Sequence, residues 1–294
     1  MMLVKENKFS FPSFAAARLI DTHAHLNFNA YRDDVDMVIK RSLDNQVWMI
    51  NVGSQYGTSK RAVEIAKKYP ERVYAAVGLH PIHLSNGIFK TKIDKEEIEF
   101  ETREEEFNYQ KYKELAQSKK VVAIGEIGLD YYYRPKTKKK LEEFRNRQRE
   151  IFLKQLGLAV DLNLPVIFHC RMAHDDLIET LNKQRTTNSE QLKGVVHCFT
   201  GNWEQAGQYL DMGFYLGFNG IIFKLNLDEI IKKTPLEKIL IETDCPYLTP
   251  PPMTGRNEPI YVKYVAEKIA KIKNLSSEEI AKITSENAKQ LFRI

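Results

Sequence analysis

Eight short apolar segments recur along the chain, and longer stretches with the amphipathic spacing of helices lie between them. The segments are Arg18–His25, Val47–Val52, Val73–Gly78, Val121–Glu126, Pro165–His169, Gly194–Cys198, Phe214–Phe218 and Lys238–Asp244. The helix-like stretches include Asp34–Asn45, Thr58–Tyr69 and Lys138–Asn163. Strands that alternate with helices favour a parallel sheet. Eight such units without a linker-like break predict an α/β fold, a single (β/α)8 TIM barrel.

The two ends of the chain lie outside this repeating pattern. Residues 1–17 are predicted to be a loose leader, because their apolar run is short for a signal peptide and is interrupted at Arg18. Residues 18–294 form the predicted barrel domain, and barrels of this type reach such a length as one domain. After the last strand, Ser276 and Glu279 offer a capping box, which predicts an additional C-terminal helix.

Four of the seven histidines stand at the C-terminal ends of predicted strands, namely His23, His25, His169 and His197. In a β/α barrel these strand ends share one mouth, into which their side chains converge. His23 and His25 lie two residues apart on one strand, so their imidazoles project to the same side. This HxH pair is a weak signal by itself, because surface or core histidines produce the same spacing.

Two carboxylates occupy equivalent positions, with Glu126 ending the fourth predicted strand and Asp244 the eighth. A polar residue buried there without a partner would cost several kcal/mol. With the histidines they make six candidate metal ligands, more than the three or so that a single catalytic zinc takes. Six ligands suit two divalent metal ions about 3.5–4 Å apart, with Glu126 as the bridge. The imidazole-rich set favours zinc or manganese over magnesium.

Composition excludes some classes of protein and leaves others open. No apolar run approaches the roughly 18 residues that a membrane span requires, so no membrane partner is expected. Three cysteines do not make a disulfide framework, and a cytoplasmic location is expected. Cys170, Cys198 and Cys245 each follow a candidate ligand, and strand alternation predicts that they point away from the metals. The net charge of +5 is compatible with a polyanionic partner, but a lysine-rich composition without such a partner explains it equally well.

Six motifs follow one another along the chain: DTHAHL from Asp21, GLHP from Gly78, GEIGLDY from Gly125, HCR from His169, HCFTG from His197 and ETDCPYL from Glu242. In their order and spacing they resemble the motifs of the TatD family of metal-dependent deoxyribonucleases, in the amidohydrolase superfamily. The resemblance runs from about Arg18 to the C-terminus. One departure is Asn27, which stands where the family commonly has an aspartate and has no proposed ligand role.

The resemblance implies a TatD-like barrel that hydrolyses phosphodiester bonds in DNA, as a magnesium-dependent 3′-to-5′ exonuclease. The expected DNA substrate is single-stranded or has frayed ends. By position, the resemblance implies one metal held by His23, His25, Glu126 and Asp244 and a second held by Glu126, His169 and His197.

The mechanism expected of such a centre starts from water. Two divalent ions lower the pKa of a bound water from about 15.7 toward about 7, so that hydroxide attacks phosphorus in line. Asp244 would accept the proton, which makes Glu126 and Asp244 the candidate catalytic residues. Glu242 would orient a ligand histidine or form an ion pair inside the barrel, and both roles stay open.

His80 and Arg171 are the candidate substrate-binding residues, because each stands just beyond a strand end. An arginine fork matches phosphate geometry, and His80 would protonate the leaving group or hydrogen-bond a phosphate. The basic run Lys136–Lys140 would grip a single strand or simply begin a solvated helix. The segment Leu84–Lys119 is expected to be a surface insertion plus an outer helix, with the acidic run Glu104–Glu106 on a solvated face.

Three functions are compatible with these residues. The first is a deoxyribonuclease, which the phosphate-suited Arg171 and the basic balance favour. The second is a metal-dependent amidohydrolase or esterase acting on a small substrate, since this fold hosts many chemistries. The third is a non-catalytic binding protein, and retention of all six candidate ligands argues against it. A monomer is the default expectation.

Overall fold

Eight parallel strands form a nearly closed barrel, and a short antiparallel pair lies beside it. The computed structural model describes residues 18–84, 87–89, 100–102, 104–187 and 192–294. Within them the strands are β1 (Leu19–Ala24), β2 (Val47–Val52), β3 (Val73–Val77), β4 (Gly87–Phe89), β5 (Phe100–Thr102), β6 (Val121–Asp130), β7 (Val166–Arg171), β8 (Gly194–Val196), β9 (Tyr215–Phe218) and β10 (Ile239–Ile241). The barrel order is β1-β2-β3-β6-β7-β8-β9-β10, and β4 pairs with β5.

Helices connect the barrel strands, as the alternating pattern predicts. In the described part of the chain they are α1 (Val35–Asp44), α2 (Tyr56–Lys67), α3 (Tyr109–Ala116), α4 (Lys138–Asp161), α5 (His174–Thr187), α6 (Trp203–Asp211), α7 (Asp228–Lys233), α8 (Val262–Lys273) and α9 (Ser277–Phe292). The capping box of Ser276 and Glu279 begins α9, so the predicted additional C-terminal helix is present. The predicted (β/α)8 barrel is confirmed.

All eight predicted strands are present, but only β2 and β9 end at the predicted residue. β1 and β3 end one residue earlier, and β7 ends two residues later. β6 continues to Asp130, four residues beyond the predicted end at Glu126. β8 stops at Val196, and β10 stops at Ile241, before Asp244 is reached. Cys198 and Asp244 have backbone φ angles of 44° and 57°, in the left-handed region. Strand alternation therefore does not set their side-chain directions, and these directions follow from the loops instead.

The barrel closes between its first and last strands through contacts at their C-terminal ends. Ala24 of β1 forms an isolated parallel bridge with Cys245, beyond the end of β10. The backbone N–H of His25 donates to the carbonyl of Cys245 at 2.9 Å, and that of Asp244 donates to the carbonyl of His23 at 2.8 Å. This seam therefore joins backbone segments that carry three of the candidate ligands.

Asp21, a buried residue of β1, braces the seam. Its Oδ1 accepts the backbone N–H of Thr243 at 2.9 Å and that of His23 at 3.2 Å. Its Oδ2 accepts the hydroxyl of Thr243 at 2.6 Å. The side chain is fully buried, and burial raises its pKa well above the ordinary value despite these hydrogen bonds. One side chain thus connects β1 to the segment that leads to Asp244.

The C-terminal helix covers the N-terminal end of the barrel. Ser285 donates to the carbonyl of Arg18, just before β1, and Asn287 donates to the carbonyl of Ile239 at the start of β10. At its C-terminal end, Leu291 and Phe292 are buried with the apolar interior of the barrel, which includes Ile20, Ile50, Ile167, Val195 and Leu240. Burying these side chains favours folding by about 1.5–3 kcal/mol each. Because α9 covers this end, the strand C-termini form the open mouth.

The segment Leu84–Lys119 contains the β4–β5 pair and α3, in agreement with an insertion plus an outer helix. Residues 85–86, 90–99 and 103 lie outside the described part. The acidic run is only partly solvated, because Glu105 accepts the N–H of Tyr56 at 3.0 Å and the hydroxyl of Tyr112 at 2.8 Å. Glu105 lies at the N-terminus of α2, where the helix dipole favours a carboxylate.

The predicted leader, residues 1–17, lies outside the described residues, and the domain boundary at residue 18 stays a prediction. Among the helices of the described ranges, none combines the length and the apolar character needed to cross a membrane.

Replacing Asp21 by alanine tests the brace at the seam. The substitution removes the acceptor of three buried donors, so we expect the free energy of unfolding to fall by about 3 kcal/mol. Urea denaturation of metal-free protein measures this loss without a contribution from bound ions. Asp33→Ala is the matched control, since Asp33 is exposed on the surface. A loss for Asp21→Ala no larger than that of the control would contradict the assigned role.

Candidate metal centre

The six predicted ligands lie together at the mouth of the barrel, with the carboxylate of Glu126 at their centre. Its Oε1 lies 2.6 Å from Nδ1 of His169 and 2.7 Å from Nε2 of His197. Its Oε2 lies 3.4 Å from Nε2 of His23. The Glu126 side chain is only 6% exposed. A single carboxylate therefore contacts imidazoles from three different strands or strand ends.

Asp244 lies on the other side of the HxH pair. Its Oδ1 is 3.3 Å from Nε2 of His25 and 3.8 Å from Nε2 of His23, and those two nitrogens are 3.1 Å apart. Asp244 follows β10 in a left-handed backbone conformation, and the seam holds its N–H on the carbonyl of His23. The ligand position that the sequence predicts at the end of a strand is in fact fixed by a loop.

Close approach of β6 and β7 brings Glu126 to the centre. The register between them shifts between Gly125 and Ile127, so Glu126 lies at an irregularity that redirects its side chain. Gly128, with a φ of +153°, makes the approach possible, because a Cβ there would lie 2.0 Å from the carbonyl oxygen of His169.

Three of the four histidines use one ring nitrogen for a fixed outer partner and direct the other inward. Nδ1 of His25 donates to the carbonyl of Val52 at 2.8 Å. Nε2 of His169 lies 3.1 Å from Oδ2 of Asp130. An N–H held by an outer partner leaves the lone pair of the other nitrogen for the centre, as is usual for metal-ligating histidines.

Glu242 is the outer partner of the third histidine, His197. Its Oε1 lies 3.3 Å from Nδ1 of that ring and accepts the N–H of Cys198 at 2.7 Å and an amide hydrogen of Asn219 at 3.2 Å. Gly217 leaves room for it, because a Cβ there would lie 2.7 Å from Glu242 Oε2. This geometry agrees with the first alternative from the sequence, that Glu242 orients a ligand histidine.

Asp130 is the residue that the sequence analysis missed. Its carboxylate accepts the N–H of Tyr132 at 2.9 Å as well as contacting His169. The missed signal is its position four residues after Glu126, which places both side chains on one face of an extended strand. The strand predicted from the sequence ends at Glu126, so Asp130 lies beyond it.

Burial and mutual attraction set the charges of the metal-free centre. Burial opposes ionisation of Glu126, but the surrounding histidines outweigh it and hold the pKa of its carboxyl well below the ordinary value. For His197, burial lowers the pKa while the carboxylates of Glu126 and Glu242 raise it, and the net pKa is well above the ordinary value. The pKa of His169 is also raised, by Glu126 and Asp130 against burial. Without a cation, protons on these two rings balance the buried carboxylates.

This donor set fits divalent cations. Within the described residues, four groups of three side chains bring one donor atom each within 4.8 Å of the others: His23, His25 and Glu126; His23, His197 and Asp244; His80, Asp130 and His169; and Glu126, His169 and His197. The four imidazoles and two carboxylates of the predicted ligands converge on one small volume. Without a cation, only protons shared among these groups would balance the charges there. Imidazole with carboxylate suits zinc, manganese and related ions.

His80 lies closer to the centre than a residue that only contacts substrate needs to be. Its Nε2 is 3.5 Å from Oε1 of Glu126, and its ring packs against that of His169 with centroids 4.1 Å apart. Its Nδ1 accepts the backbone N–H of Ile82 at 3.0 Å, so the neutral ring carries its proton on Nε2. Burial, with a smaller effect of His169, lowers the pKa of His80 and keeps the ring neutral.

Arg171 and the basic run lie at the rim. Arg171 ends β7, two residues after His169, and its guanidinium lies 3.7 Å from the ring centroid of Tyr132. Residues Lys136–Lys140, four lysines with Thr137 among them, are all exposed, and α4 begins at Lys138.

Cys170 contacts the hydroxyl of Tyr209, away from the centre, and burial raises the pKa of its thiol to about 12.

Comparison with known proteins places the chain among metal-dependent hydrolases. The family model described as TatD related DNase matches residues 20–293. The uncharacterized metal-dependent hydrolase YabD of Bacillus subtilis is 43% identical over 281 residues, which cover 94% of this chain and 99% of that protein. The protein named 3'-5' ssDNA/RNA exonuclease TatD of Escherichia fergusonii is 32% identical, with coverages of 94% and 99%. The crystal structure of YjjV, a TatD homolog from Escherichia coli K12, superimposes with a TM-score of 0.77 at 27% identity, covering 95% and 99% of the two chains.

The raised pKa values of His169 and His197 predict that metal binding releases protons. Both rings are protonated in the metal-free centre below their raised pKa values, and each must lose its proton to bind an ion. Lowering the pH by one unit is therefore expected to weaken zinc binding about tenfold for each proton displaced. Calorimetric titration in buffers of different ionisation enthalpy counts these protons.

His197→Gln is expected to release about one proton fewer, because glutamine cannot hold the displaced proton. His174→Gln is the control, since His174 is buried beside Tyr209 and outside the centre. Zinc binding with no proton release at pH 6 to 7 would contradict this account of the charges.

Proposed function

This chain belongs to the family of TatD-related DNases and is a metal-dependent hydrolase, and from that premise we propose that it hydrolyses phosphodiester bonds in DNA as a 3′-to-5′ exonuclease. One observation carries the choice of a phosphate substrate. Arg171 stands two residues beyond His169 at the rim, and no carboxylate of the described chain forms an ion pair with it. A guanidinium that is free to bind an anion beside a metal centre suits a phosphodiester better than an uncharged amide. The name of the Escherichia fergusonii relative, an exonuclease on single-stranded DNA and RNA, supports the same choice.

We propose two divalent ions for the centre. His23, His25, Glu126 and Asp244 would hold one, and Glu126, His169 and His197 would hold the other. When bound, such ions lower the pKa of water and neutralise charge that develops on phosphate oxygens.

The residues around the ions have separate tasks in this proposal. Asp244, whose side chain is 15% exposed, is the carboxylate nearest to solvent and takes the proton of the attacking water. His80 is neutral with its proton on Nε2, so it donates a hydrogen bond to a phosphate oxygen rather than a proton to the leaving group. Arg171 binds a further phosphate oxygen. Asp130 and Glu242 keep His169 and His197 in the ring orientation that the ions require.

The alternative with the same centre is an amidohydrolase or esterase that acts on a small substrate. It needs the same ions and the same proton acceptor, so metal content does not separate the two functions. Substrate does. A phosphodiesterase releases nucleotides from DNA, whereas the alternative enzyme leaves DNA intact and hydrolyses neutral amides or esters.

Metal-reconstituted protein is expected to release mononucleotides from the 3′ end of labelled single-stranded DNA. Glu126→Gln should lower the rate roughly 1,000-fold or more, since it removes the carboxylate shared by both ions. Oligonucleotides labelled at the 5′ or the 3′ end, run on a denaturing gel, distinguish exonuclease from endonuclease products. RNA and blunt duplex DNA are tested alongside, each with magnesium, manganese and zinc.

Glu286→Gln is the matched control, because Glu286 is exposed on α9 at the closed end of the barrel. Full metal occupancy without cleavage of any nucleic acid would refute the nuclease, and turnover of neutral esters by the same preparation would favour the alternative.

Asp130→Asn tests the support of His169 and, through it, the metals. Asparagine retains an acceptor oxygen but removes the charge that polarises the imidazole, so metal affinity should fall roughly 10- to 100-fold. Competition with a fluorescent chelator measures the affinity without relying on turnover. Asp211→Asn, at an exposed position that ends α6, should leave the affinity unchanged. Unaltered metal binding in Asp130→Asn would show that the contact with His169 is only structural.

A further inference from the structure

Tyr132 is a large aromatic side chain left open at the rim of the mouth. It follows β6 by two residues and retains 46% of its surface exposed. The guanidinium of Arg171 covers it at 3.7 Å, and the ring of Tyr133 packs against it at a right angle, with centroids 4.7 Å apart. Nearly half of the Tyr132 surface therefore remains accessible after both protein contacts are made. An arginine stacked on an aromatic face still directs its N–H groups outward in its own plane.

Tyr132 is connected to the metal centre by direct hydrogen bonds. Its backbone N–H donates to Asp130, whose other carboxylate oxygen contacts His169, which in turn contacts Glu126. These bonds hold the backbone of Tyr132 next to the centre. Met172, which follows β7, is 58% exposed beside Arg171 in the chain and has a φ of 56°. The loops after β6 and β7 therefore place an apolar, partly aromatic surface at one side of the mouth.

The start of α4 adds positive charge to the same loop. Lys138, Lys139 and Lys140 occupy the first turn of this helix, and no acidic residue accompanies them there. Cations are unfavourable at a helix N-terminus, where the dipole is already positive. Lys136 precedes the turn and is also exposed. An anionic ligand at this position would contact both the lysines and the backbone N–H groups of the first turn of α4.

The geometry points to Tyr132 as the platform on which an unpaired base stacks next to the phosphodiester at the metal centre, with Lys136 and Lys138–Lys140 holding phosphates of the same strand. This inference rests on the proposed nuclease function and deepens it. It names Tyr132 as a residue that determines the preference for a single strand over a duplex.

Stacking explains why the preference is for a single strand. Inside a duplex, the faces of each base are covered by neighbouring base pairs, so an aromatic side chain at the rim has no face to contact. An unpaired base offers its face regardless of its identity, and aromatic platforms next to cationic residues bind single strands for this reason. A duplex would reach the centre only where its end frays.

The test measures binding in the Glu126→Gln background, in which cleavage does not deplete the substrate. Fluorescence anisotropy with labelled single-stranded DNA, single-stranded RNA and blunt duplex DNA compares the parent with Tyr132→Ala. We expect Tyr132→Ala to weaken binding of single strands about tenfold and to leave duplex binding within twofold. Tyr132→Phe keeps the ring and should bind within twofold of the parent. Trp203→Ala is the matched control, because Trp203 is also exposed beneath a cation, Lys233, and lies outside the loops after β6 and β7.

A Tyr132→Trp variant gives an independent readout, since a base stacked on the new indole should quench its fluorescence as the single strand is added. Equal losses for single strands and duplex, the same loss in Trp203→Ala, or an unquenched indole would each overturn the assignment of Tyr132. If the wild-type enzyme cleaves DNA while Tyr132→Ala binds normally, the platform is refuted and the nuclease stands. If the parent binds no nucleic acid and the wild type cleaves none, both are refuted.

The lysines are tested through salt dependence. Affinity for a single strand falls with salt concentration, with a logarithmic slope of about 0.7 for each phosphate contact. Replacing Lys138, Lys139 and Lys140 by glutamine should reduce this slope by about 1 to 2, while the quench in Tyr132→Trp persists at saturating DNA. An unchanged slope would remove the lysines from the proposal, and DNA binding would then depend on Arg171 and Tyr132 alone.

Discussion

The carboxylate of Glu126, buried among imidazoles, is the interaction on which the rest of the site depends. A buried carboxylate is stable only when charge or donors surround it, and Glu126 receives both from His23, His169 and His197. Each imidazole then needs a fixed orientation, which Asp130 and Glu242 supply for two of them. Much of the mouth is therefore one set of mutually dependent charges.

This dependence also shapes the backbone. The register shift in β6 and the close approach at Gly128 bring Glu126 and His169 within 2.6 Å, and a side chain at position 128 would prevent that contact. At the seam, the left-handed conformation of Asp244 likewise places its carboxylate beside the HxH pair. Local backbone irregularities thus occur where ligand groups must meet, while the regular barrel supplies the frame around them.

The barrel and the cluster were predictable from the sequence because both depend on periodic signals. Apolar runs mark strands, and polar residues directly after them mark the mouth, so His169 and His197 could be placed without a structure. Asp130 was not placed, because its spacing from Glu126 is informative only once β6 is known to continue to that residue. Glu105 was expected to be solvated, and only its contacts with Tyr56 and Tyr112 show otherwise. Contacts between elements that are distant in sequence leave no local sequence pattern, whereas the periodicity of a strand or helix does.

Closure of the barrel has a consequence for how the protein is made. Thr243 and Asp21 are separated by 222 positions, and the seam that they brace joins the first strand to the segment after the last one. During synthesis, His23 and His25 leave the ribosome long before Asp244, and α9, which covers the base of the barrel, follows later still. The nascent chain therefore cannot assemble the complete cluster until the segment after β10 has been synthesised. A hydrolase with this topology acquires its reactive site only when the barrel closes, and a fragment released before that point carries only part of it.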